Sequence, residues 1–237
     1  MRLSILTPTI RGSRCDALSR VVGDLRQHWD VTWWLCPNAP GWDARPPLFA
    51  RVVPLVFSGP VPVLSRINQA RELLRVAASS WPADVVVWLD DDMTPTTEQL
   101  HQLASTAIRS DTRGLLVSPV MRNRHSTDDY TCAWVFTQTA VEVRGADLDL
   151  SIHGLSFLPS SVSREDRGFV WAHGVGLGCV AHPWAFLLEF AFPAAEVADD
   201  EWLSRAFAAS GRTGIIVDYT LDVGHIDADK EHSCPEV

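Results

Sequence analysis

The sequence predicts an α/β fold in a single domain, with a mostly parallel, Rossmann-like sheet flanked by helices. Short runs rich in β-branched and aromatic residues alternate with helical patterns through the first half, as in β-α-β units. One run, Val85–Leu89, is apolar throughout, as expected of a strand buried on both faces. A chain of 237 residues is long enough to bury one sizeable core.

The first half of the chain divides into predicted elements in a regular order. Apolar residues recur at spacings of three and four in Val63–Ala78, which predicts a helix with one buried face. Thr94-Pro95 are start signals for the helix that follows the apolar run. The predicted strands are Leu3–Leu6, Val31–Cys36, Arg51–Phe57, Val85–Leu89 and Leu115–Val120. The predicted helices are Asp16–His28, Val63–Ala78 and Thr96–Arg109.

The second half is less regular. Two long polar connections, Arg122–Asp129 and Leu158–Gly168, interrupt it, and connections of this length in a compact domain tend to carry function. Its predicted strands are Cys132–Thr139, Gly178–His182 and Gly214–Asp218. A helix is predicted at Asp199–Ser210, closed by Gly211.

The composition is that of a globular protein, with 46% hydrophobic and 21% charged residues. A net charge of −9 excludes a generally basic surface for nucleic acid, although a local basic groove remains compatible with it. Lys230 is the only lysine, so we expect arginine side chains to hold any bound phosphate.

Cysteine usage and hydropathy indicate a cytoplasmic protein without a membrane anchor. The five cysteines are scattered and lack CxxC spacing, which argues against a disulfide framework and a structural zinc site. No signal peptide is expected, because Thr7-Pro8 ends the first apolar run at once. The longest apolar stretch, around Ala185 to Ala195, is too short to span a bilayer.

Three consecutive aspartates, Asp90, Asp91 and Asp92, follow the predicted buried strand, at the edge where open parallel sheets bind ligands. In an extended segment Asp90 and Asp92 face one way and Asp91 the other. Adjacent carboxylates repel one another unless something offsets their charge, and a hard divalent cation is a natural partner. Ordinary turn residues before a helix are the alternative interpretation.

Two later features strengthen the metal hypothesis. Asp199-Asp200 opens a predicted helix, where the alternative is simple complementarity to the helix dipole. His225 follows the last predicted strand in a polar turn, and imidazole is a common ligand of borderline divalent ions.

The order of these motifs resembles the GT-A-fold glycosyltransferases, particularly inverting family 2 enzymes, including small phage and bacterial members. The first strand with Pro8-Thr9 resembles their nucleotide-binding turn, and Trp88–Asp92 resembles their DxD motif. The remaining similar segments are Ser65–Ala70, Gly176–Ala181, Asp199-Asp200 and Val217–Ile226. Two positions depart from the family pattern: Asp199 replaces a glutamate, and Cys36-Pro37-Asn38 lacks the acidic residue that reads a uracil-type base.

The resemblance implies direct displacement with inversion at the anomeric carbon of a nucleotide sugar, most simply a UDP-sugar. Asp92 and His225 would bind Mn²⁺ or Mg²⁺, and Asp200 would be the general base. The implied nucleotide-sugar residues are Pro8, Thr9, Arg11, Asn38, Arg66, Asp90 and Asp91. The implied acceptor residues are Trp171, Gly176, Gly178 and Asp199. Residues 1–121 would bind the donor, and residues 122–237 would bind the acceptor and carry out catalysis.

The sequence is compatible with several acceptors: a saccharide, a lipid-linked sugar, a protein, a small molecule or a hydroxymethylated DNA base all fit. A flipped-out base would need stacking and arginine contacts, for which the candidates are Trp134, Trp171, Arg122, Arg124 and Arg164. A nucleotidyltransferase is an alternative enzyme, although Thr9–Arg14 matches its phosphate-binding segment only in part and lacks the lysine. A non-catalytic nucleotide-sugar or carbohydrate-binding module is the other alternative.

Overall fold

The computed structural model describes residues 1–10, 12–39, 42, 46–56, 61–109, 116–121, 130–144, 147–159, 168–210 and 214–225. The first half contains β1 (Arg2–Thr9), α1 (Gly12–Leu25), β2 (Asp30–Pro37), β3 (Ala50–Val52), α2 (Val63–Ser79), β4 (Val85–Leu89), β5 (Met93–Thr94), α3 (Thr97–Arg109) and β6 (Leu116–Met121). The second half contains β7 (Tyr130–Arg144), β8 (Asp147–Pro159), β9 (Phe169–Ala172), β10 (Gly174–Val175), β11 (Cys179–Pro183), α4 (Trp184–Leu187), α5 (Asp199–Ser210) and β12 (Ile215–His225).

The central sheet has the strand order β3-β2-β1-β4-β11-β6-β12-β5, with β9 paired to β12. Strands β1 to β4, β6 and β12 run in one direction, because β11 is antiparallel to both of its neighbours, β4 and β6. The predicted mostly parallel α/β sheet is therefore confirmed, with β11 as a reversed strand at its centre.

The strand order reverses between β1 and β4, and this reversal positions the candidate site. The chain moves outward from β1 to β2 and β3, and then returns through α2 to β4 on the other side of β1. Right-handed crossovers place α1 and α2 on opposite faces of such a sheet. A crevice opens beyond the carboxyl ends of the strands at this kind of switch point.

The core is built around β4, whose five residues are all buried, as the apolar run predicts. Trp33 and Trp88 are among its largest fully buried side chains, and each indole N–H is satisfied. Trp33 Nε1 donates to Thr7 Oγ1 at 3.0 Å, and Trp88 Nε1 donates to His182 Nε2 at 3.1 Å. Burial lowers the pKa of His182 to about 4, so this imidazole is neutral and structural.

The second half differs most from the sequence prediction. The strand predicted at Cys132–Thr139 is part of a long hairpin of β7 and β8, which forms a separate three-stranded sheet with β10. The alternating Leu148, Leu150 and Ile152 are the sequence signal that predicts β8. Strands β9 and β10 are too short for periodicity to reveal them.

Three predicted elements in the first and last parts of the chain had wrong boundaries. The strand predicted at Arg51–Phe57 ends at Val52, since Pro54 cannot donate to a ladder. The first helix begins at Gly12 rather than Asp16 and ends at Leu25 rather than His28. The last strand continues past Asp218 to His225, because a register shift between Asp218 and Asp222 lets its pairing with β6 resume.

A capping interaction at the start of α3 also anchors the end of β12. Thr96 and Gln99 form a reciprocal capping box, with Thr96 N to Gln99 Oε1 at 2.8 Å and Gln99 N to Thr96 Oγ1 at 3.2 Å. Gln99 Nε2 then donates to the carbonyl of Asp222 at 2.7 Å. The strand that carries His225 is thus held against α3.

In the described part of the chain, Cys15, Cys36, Cys132 and Cys179 form no disulfide, and Cys234 lies outside the described residues. Among the helices that the model describes, none combines the length and apolar character needed to cross a membrane.

Substitution of Gly174 tests the packing of the three-stranded sheet formed by β10, β7 and β8. A Cβ at Gly174 would lie 2.2 Å from the indole of Trp134, whereas a Cβ at Gly168 meets nothing within 4 Å. We expect Gly174→Ala to lower the free energy of unfolding by about 1–3 kcal/mol through overpacking. Gly168→Ala, the matched control, changes it by less than about 0.5 kcal/mol. Urea denaturation measures both, and equal stabilities would contradict this packing.

Candidate active site

Asp91 ties the turn after β1 to the end of β4. Its buried carboxylate accepts hydrogen bonds from Thr9 Oγ1 at 2.9 Å and from the N–H of Ile10 at 2.8 Å. Arg14 Nη1 adds an ion pair at 3.4 Å. Asp91 therefore turns toward β1 and α1, and these contacts within the protein fix the local shape of the crevice.

The carboxyl ends of β1 and β2 meet beside this turn. Asn38 N donates to the carbonyl of Thr9 at 2.8 Å, and Arg66 Nη1 lies 3.5 Å from the carbonyl of Asn38. The side chains of Pro8 and Thr9 are buried. The fold thus brings together Pro8, Thr9, Asn38 and Arg66 from distant parts of the sequence, whereas Arg11 lies outside the described residues.

The side-chain carbonyl of Asn38 stands out among these groups. Asn38 is 5% exposed, and within the described part of the chain no donor reaches its Oδ1 atom. A buried amide oxygen without a hydrogen bond is costly, and a ligand N–H is one group that removes this cost.

Asp90 faces the opposite way from Asp91, toward α2. Arg71 Nη2 donates to both of its carboxylate oxygens, at 3.0 and 3.1 Å. Arg71 Nε donates to Asp199 Oδ2 at the start of α5. One guanidinium therefore joins carboxylates that are more than a hundred residues apart in the sequence.

Competing charges set the pKa values of these groups. Burial raises the pKa of Asp90 to about 7; Arg71 opposes this rise, while Asp92, Asp199 and Asp91 add to it. Burial also opposes the charge of Arg71, but Asp199 and Asp90 outweigh it and raise the pKa of Arg71. Arg71 therefore stays protonated, as its 2% exposed side chain between two carboxylates requires.

Asp200 is half-buried beside Asp199 in the first turn of α5. Burial raises its pKa to about 6 and Asp199 contributes to the rise, whereas the N–H of Glu201, Arg71 and its own N–H lower it. A carboxyl that titrates near 6 is largely deprotonated at neutral pH yet remains basic enough to accept a proton.

A short antiparallel ladder brings the backbone that follows Asp92 alongside the end of β12, which carries His225. β5 pairs with β12 so that Met93 is opposite His225 and Thr94 is opposite Gly224. Thr94 Oγ1 also donates to the carbonyl of Gly224 at 3.0 Å. Asp92, one residue before this ladder, and His225 are both half-buried.

Within the described residues, no three His, Cys, Asp or Glu side chains are grouped closely enough to hold a metal ion by themselves. Side chains directly opposite each other in an antiparallel pair share a face, so His225 lies on the Met93 side of the ladder. Asp92 and His225 nevertheless offer one hard oxygen and one imidazole nitrogen, a donor set that suits Mn²⁺ or Mg²⁺ when substrate phosphates supply further ligands.

The two glycines predicted on the acceptor side lie where two backbone segments pass close to each other. The N–H of Asp90 donates to the carbonyl of Gly178 at 2.7 Å, and the N–H of Gly176 donates to the carbonyl of Cys132 at 2.8 Å. A Cβ at Gly178 would be 2.9 Å from Met93 Sδ, and one at Gly176 would be 3.2 Å from Cys132 Cβ. Both glycines thus allow close packing, and their acceptor role stays a prediction.

Of the two tryptophans predicted to stack on an acceptor base, one is buried and the other is exposed. Trp134 is 7% exposed, and its indole packs over Gly174, so it is a core side chain. Trp171 on β9 is 58% exposed. Arg122, Arg124 and Arg164 lie outside the described residues.

Sequence reasoning missed Arg71. It lies among the buried residues of α2 together with Asn68, Ala70 and Leu74. A charged residue next to the apolar stripe of a helix signals a buried ion pair, because such groups are rarely buried unless paired. That signal is present in the sequence, but it does not name the partners, Asp90 and Asp199.

No protein-family model matches the sequence, and a sequence search of characterised proteins likewise finds no match. Solved structures share the fold. GalNAc-T7 with UDP, GalNAc and Mn²⁺ has a TM-score of 0.63 at 12% identity, over 95% of this chain and 44% of that chain. This chain thus spans less than half of the GalNAc-T7 chain.

Two further structures have the same architecture. CMP:2-keto-3-deoxy-manno-octonic acid synthetase complexed with CTP has a TM-score of 0.51 at 12% identity, over 97% of this chain and 95% of that chain. A mycobacterial protein has a TM-score of 0.52 at 14% identity, over 94% of this chain and 66% of that chain. These similarities confirm the predicted GT-A-type sheet.

Proposed function

We propose that this chain is a metal-dependent glycosyltransferase, of the inverting family 2 type, that moves a sugar from a UDP-sugar to an acceptor hydroxyl. One observation carries the proposal: Arg71 joins Asp90, at the switch point of a GT-A-type sheet, to Asp199, the residue directly before Asp200. A half-buried carboxylate with a pKa of about 6 at that place has the chemistry of a general base.

Residues 1–121 form the donor half in this proposal. The nucleotide lies over Pro8, Thr9 and Arg11, with Arg66 and Asp91 beside it and Asp90 near the ribose. Asn38 meets the base: its buried Oδ1 has no donor within the described residues, and the N3–H of uracil is a donor of the right kind.

Asp92 and His225 hold Mn²⁺ or Mg²⁺ in this proposal. When bound there, the cation would supply Lewis-acid stabilisation of negative charge on the diphosphate leaving group. Two protein ligands rather than a closed cage are the expected number for a cation that is completed by substrate phosphates.

Residues 122–237 form the acceptor and catalytic half. Asp200 removes the proton of the acceptor hydroxyl while its oxygen attacks the anomeric carbon. The bond from that carbon to the diphosphate oxygen breaks on the opposite side, which inverts the configuration. Trp171, Gly176, Gly178 and Asp199 border the acceptor, and the exposed indole of Trp171 offers a flat apolar face to a sugar ring.

A nucleotidyltransferase is the second candidate, since the synthetase complexed with CTP shares the architecture. That reaction needs cationic groups for a triphosphate after β1. Arg14, a candidate for this role, is already paired with Asp91. Release of pyrophosphate from CTP or UTP together with a sugar would favour this candidate, and release of UDP from a UDP-sugar would favour transfer.

Asp92→Ala tests the cation site. We expect hydrolysis of UDP-glucose or UDP-N-acetylglucosamine to require Mn²⁺ or Mg²⁺, and the variant to lose this activation because an oxygen ligand is gone. Mn²⁺ titration followed by electron paramagnetic resonance measures binding directly. Asp84→Ala is the control, since Asp84 is exposed at the amino end of β4; unchanged Mn²⁺ binding in Asp92→Ala would remove this ligand from the proposal.

Asp200→Asn tests the base. Turnover of the wild type should rise with pH through about 6, because the base works only when its carboxyl has lost its proton. We expect the variant to bind UDP normally but to lose about 10²–10⁴-fold in kcat, together with that pH dependence. Glu201→Gln is the control on the same turn, since the Glu201 side chain pairs with Arg205; retained turnover in Asp200→Asn would place the base elsewhere.

Asn38→Asp tests base recognition. A carboxylate only accepts hydrogen bonds, so it suits the N3–H of uracil and repels the N3 acceptor of cytosine. We expect the ratio of UDP to CDP affinity, measured by calorimetry, to rise about tenfold, equivalent to about 1.4 kcal/mol. Asn38→Leu should weaken UDP more than CDP, because only uracil offers an N3–H to the lost acceptor, and an unchanged ratio in Asn38→Asp would move the base away from this residue.

A further inference from the structure

One face of α2 contacts the segment that runs from Leu187, the last residue of α4, to the start of α5. Four polar residues spaced three and four apart, Asn68, Arg71, Glu72 and Arg75, share this face. Asn68 Nδ2 donates to the carbonyls of Ala195 and Val197 at 2.9 and 2.8 Å, Glu72 Oε2 accepts from the N–H of Phe192 at 2.9 Å, and Arg75 Nη1 donates to the carbonyl of Leu187 at 3.3 Å.

Arg71 differs from the other three residues in the groups that it contacts. They contact the main chain of the segment, whereas Arg71 contacts two carboxylates, Asp90 after β4 and Asp199 in α5. Its guanidinium also lies over the indole of Trp88, 5.4 Å from the ring centroid. A buried, planar guanidinium that contacts Asp90, Asp199 and the Trp88 indole has little freedom to move.

We propose that Arg71 is the positioning residue of the transfer step: it fixes the distance between the donor-side carboxylate Asp90 and helix α5, and thereby places Asp200 against the acceptor hydroxyl. This inference rests on the proposed function, and it adds a residue whose effect on catalysis is exerted through Asp199 and Asp200.

The chemistry of the guanidinium explains why another cation does not replace it. Arg71 uses Nε for Asp199 and Nη2 for Asp90, so two fixed directions of one rigid group set the geometry. A lysine ammonium carries the same charge on a flexible stem without this fork. Arg71→Lys therefore keeps the charge balance and loses the fixed separation, while Arg71→Met loses both.

The kinetic test compares Arg71→Lys with Arg75→Met in Mn²⁺-dependent hydrolysis of UDP-glucose. We expect Arg71→Lys to lower kcat about 100-fold, as a displacement of about 1 Å can, with KM changed less than about threefold. Arg75→Met loosens the same segment without touching either carboxylate, so its kcat should stay within about threefold of the wild type. Wild-type kcat in Arg71→Lys, or an equal loss in Arg75→Met, would overturn the inference.

A second measurement does not depend on activity. Carbon-13 NMR of the labelled Asp200 carboxyl follows its titration, which we expect near pH 6 in the wild type. Asp199 raises the pKa of this carboxyl and Arg71 lowers it, so Arg71→Met should raise the midpoint and Arg75→Met should leave it unchanged. An unchanged midpoint in Arg71→Met would overturn the inference. A raised midpoint in a protein that turns over no nucleotide sugar would support the link and reject the proposed function.

Discussion

Repulsion between half-buried carboxylates is the constraint on which this structure depends. Asp90 and Asp199 converge beneath the strand ends, and like charges a few ångström apart in a partly buried site cost on the order of a few kcal/mol. Arg71 offsets that cost by bonding to both. The fold therefore tolerates several negative charges at one edge of the sheet because α2 places the Arg71 guanidinium between them.

The three consecutive aspartates are separated by the elements that they contact. Asp91 faces β1 through Thr9 and Ile10, Asp90 faces α2 through Arg71, and Asp92 leads into the β5–β12 ladder. Each aspartate of the motif thus has a different role: Asp91 is a structural link, Asp90 is bridged to α5 and Asp92 is a proposed cation ligand. An acidic triplet is therefore informative only together with the partners that fold back onto it.

Local pattern predicted the parts of the fold in which neighbouring residues decide the outcome. The apolar run Val85–Leu89 is β4 to the residue, and the stripe in Val63–Ala78 is α2 within one residue. The reversed strand β11, the β9 pairing and the Arg71 bridge depend on contacts between residues far apart in sequence, which periodicity does not encode. The proximity of Asp199-Asp200 to Asp90 was expected from motif order, yet its cause, a single guanidinium, was not.

The fold by itself does not choose between glycosyl and nucleotidyl transfer, because the same architecture occurs in GalNAc-T7 and in a synthetase complexed with CTP. The choice depends on which chemical group each reaction requires at the start of α5. Glycosyl transfer to a hydroxyl requires a group that accepts a proton, whereas release of pyrophosphate chiefly requires cations around a triphosphate. Asp200 is a group that can accept a proton. Burial and Asp199 raise its pKa to about 6, while Arg71 and main-chain N–H groups limit that rise. The case for glycosyl transfer therefore depends on the same arginine that balances the carboxylates, since Arg71 both holds α5 in place and limits how far the pKa of Asp200 rises.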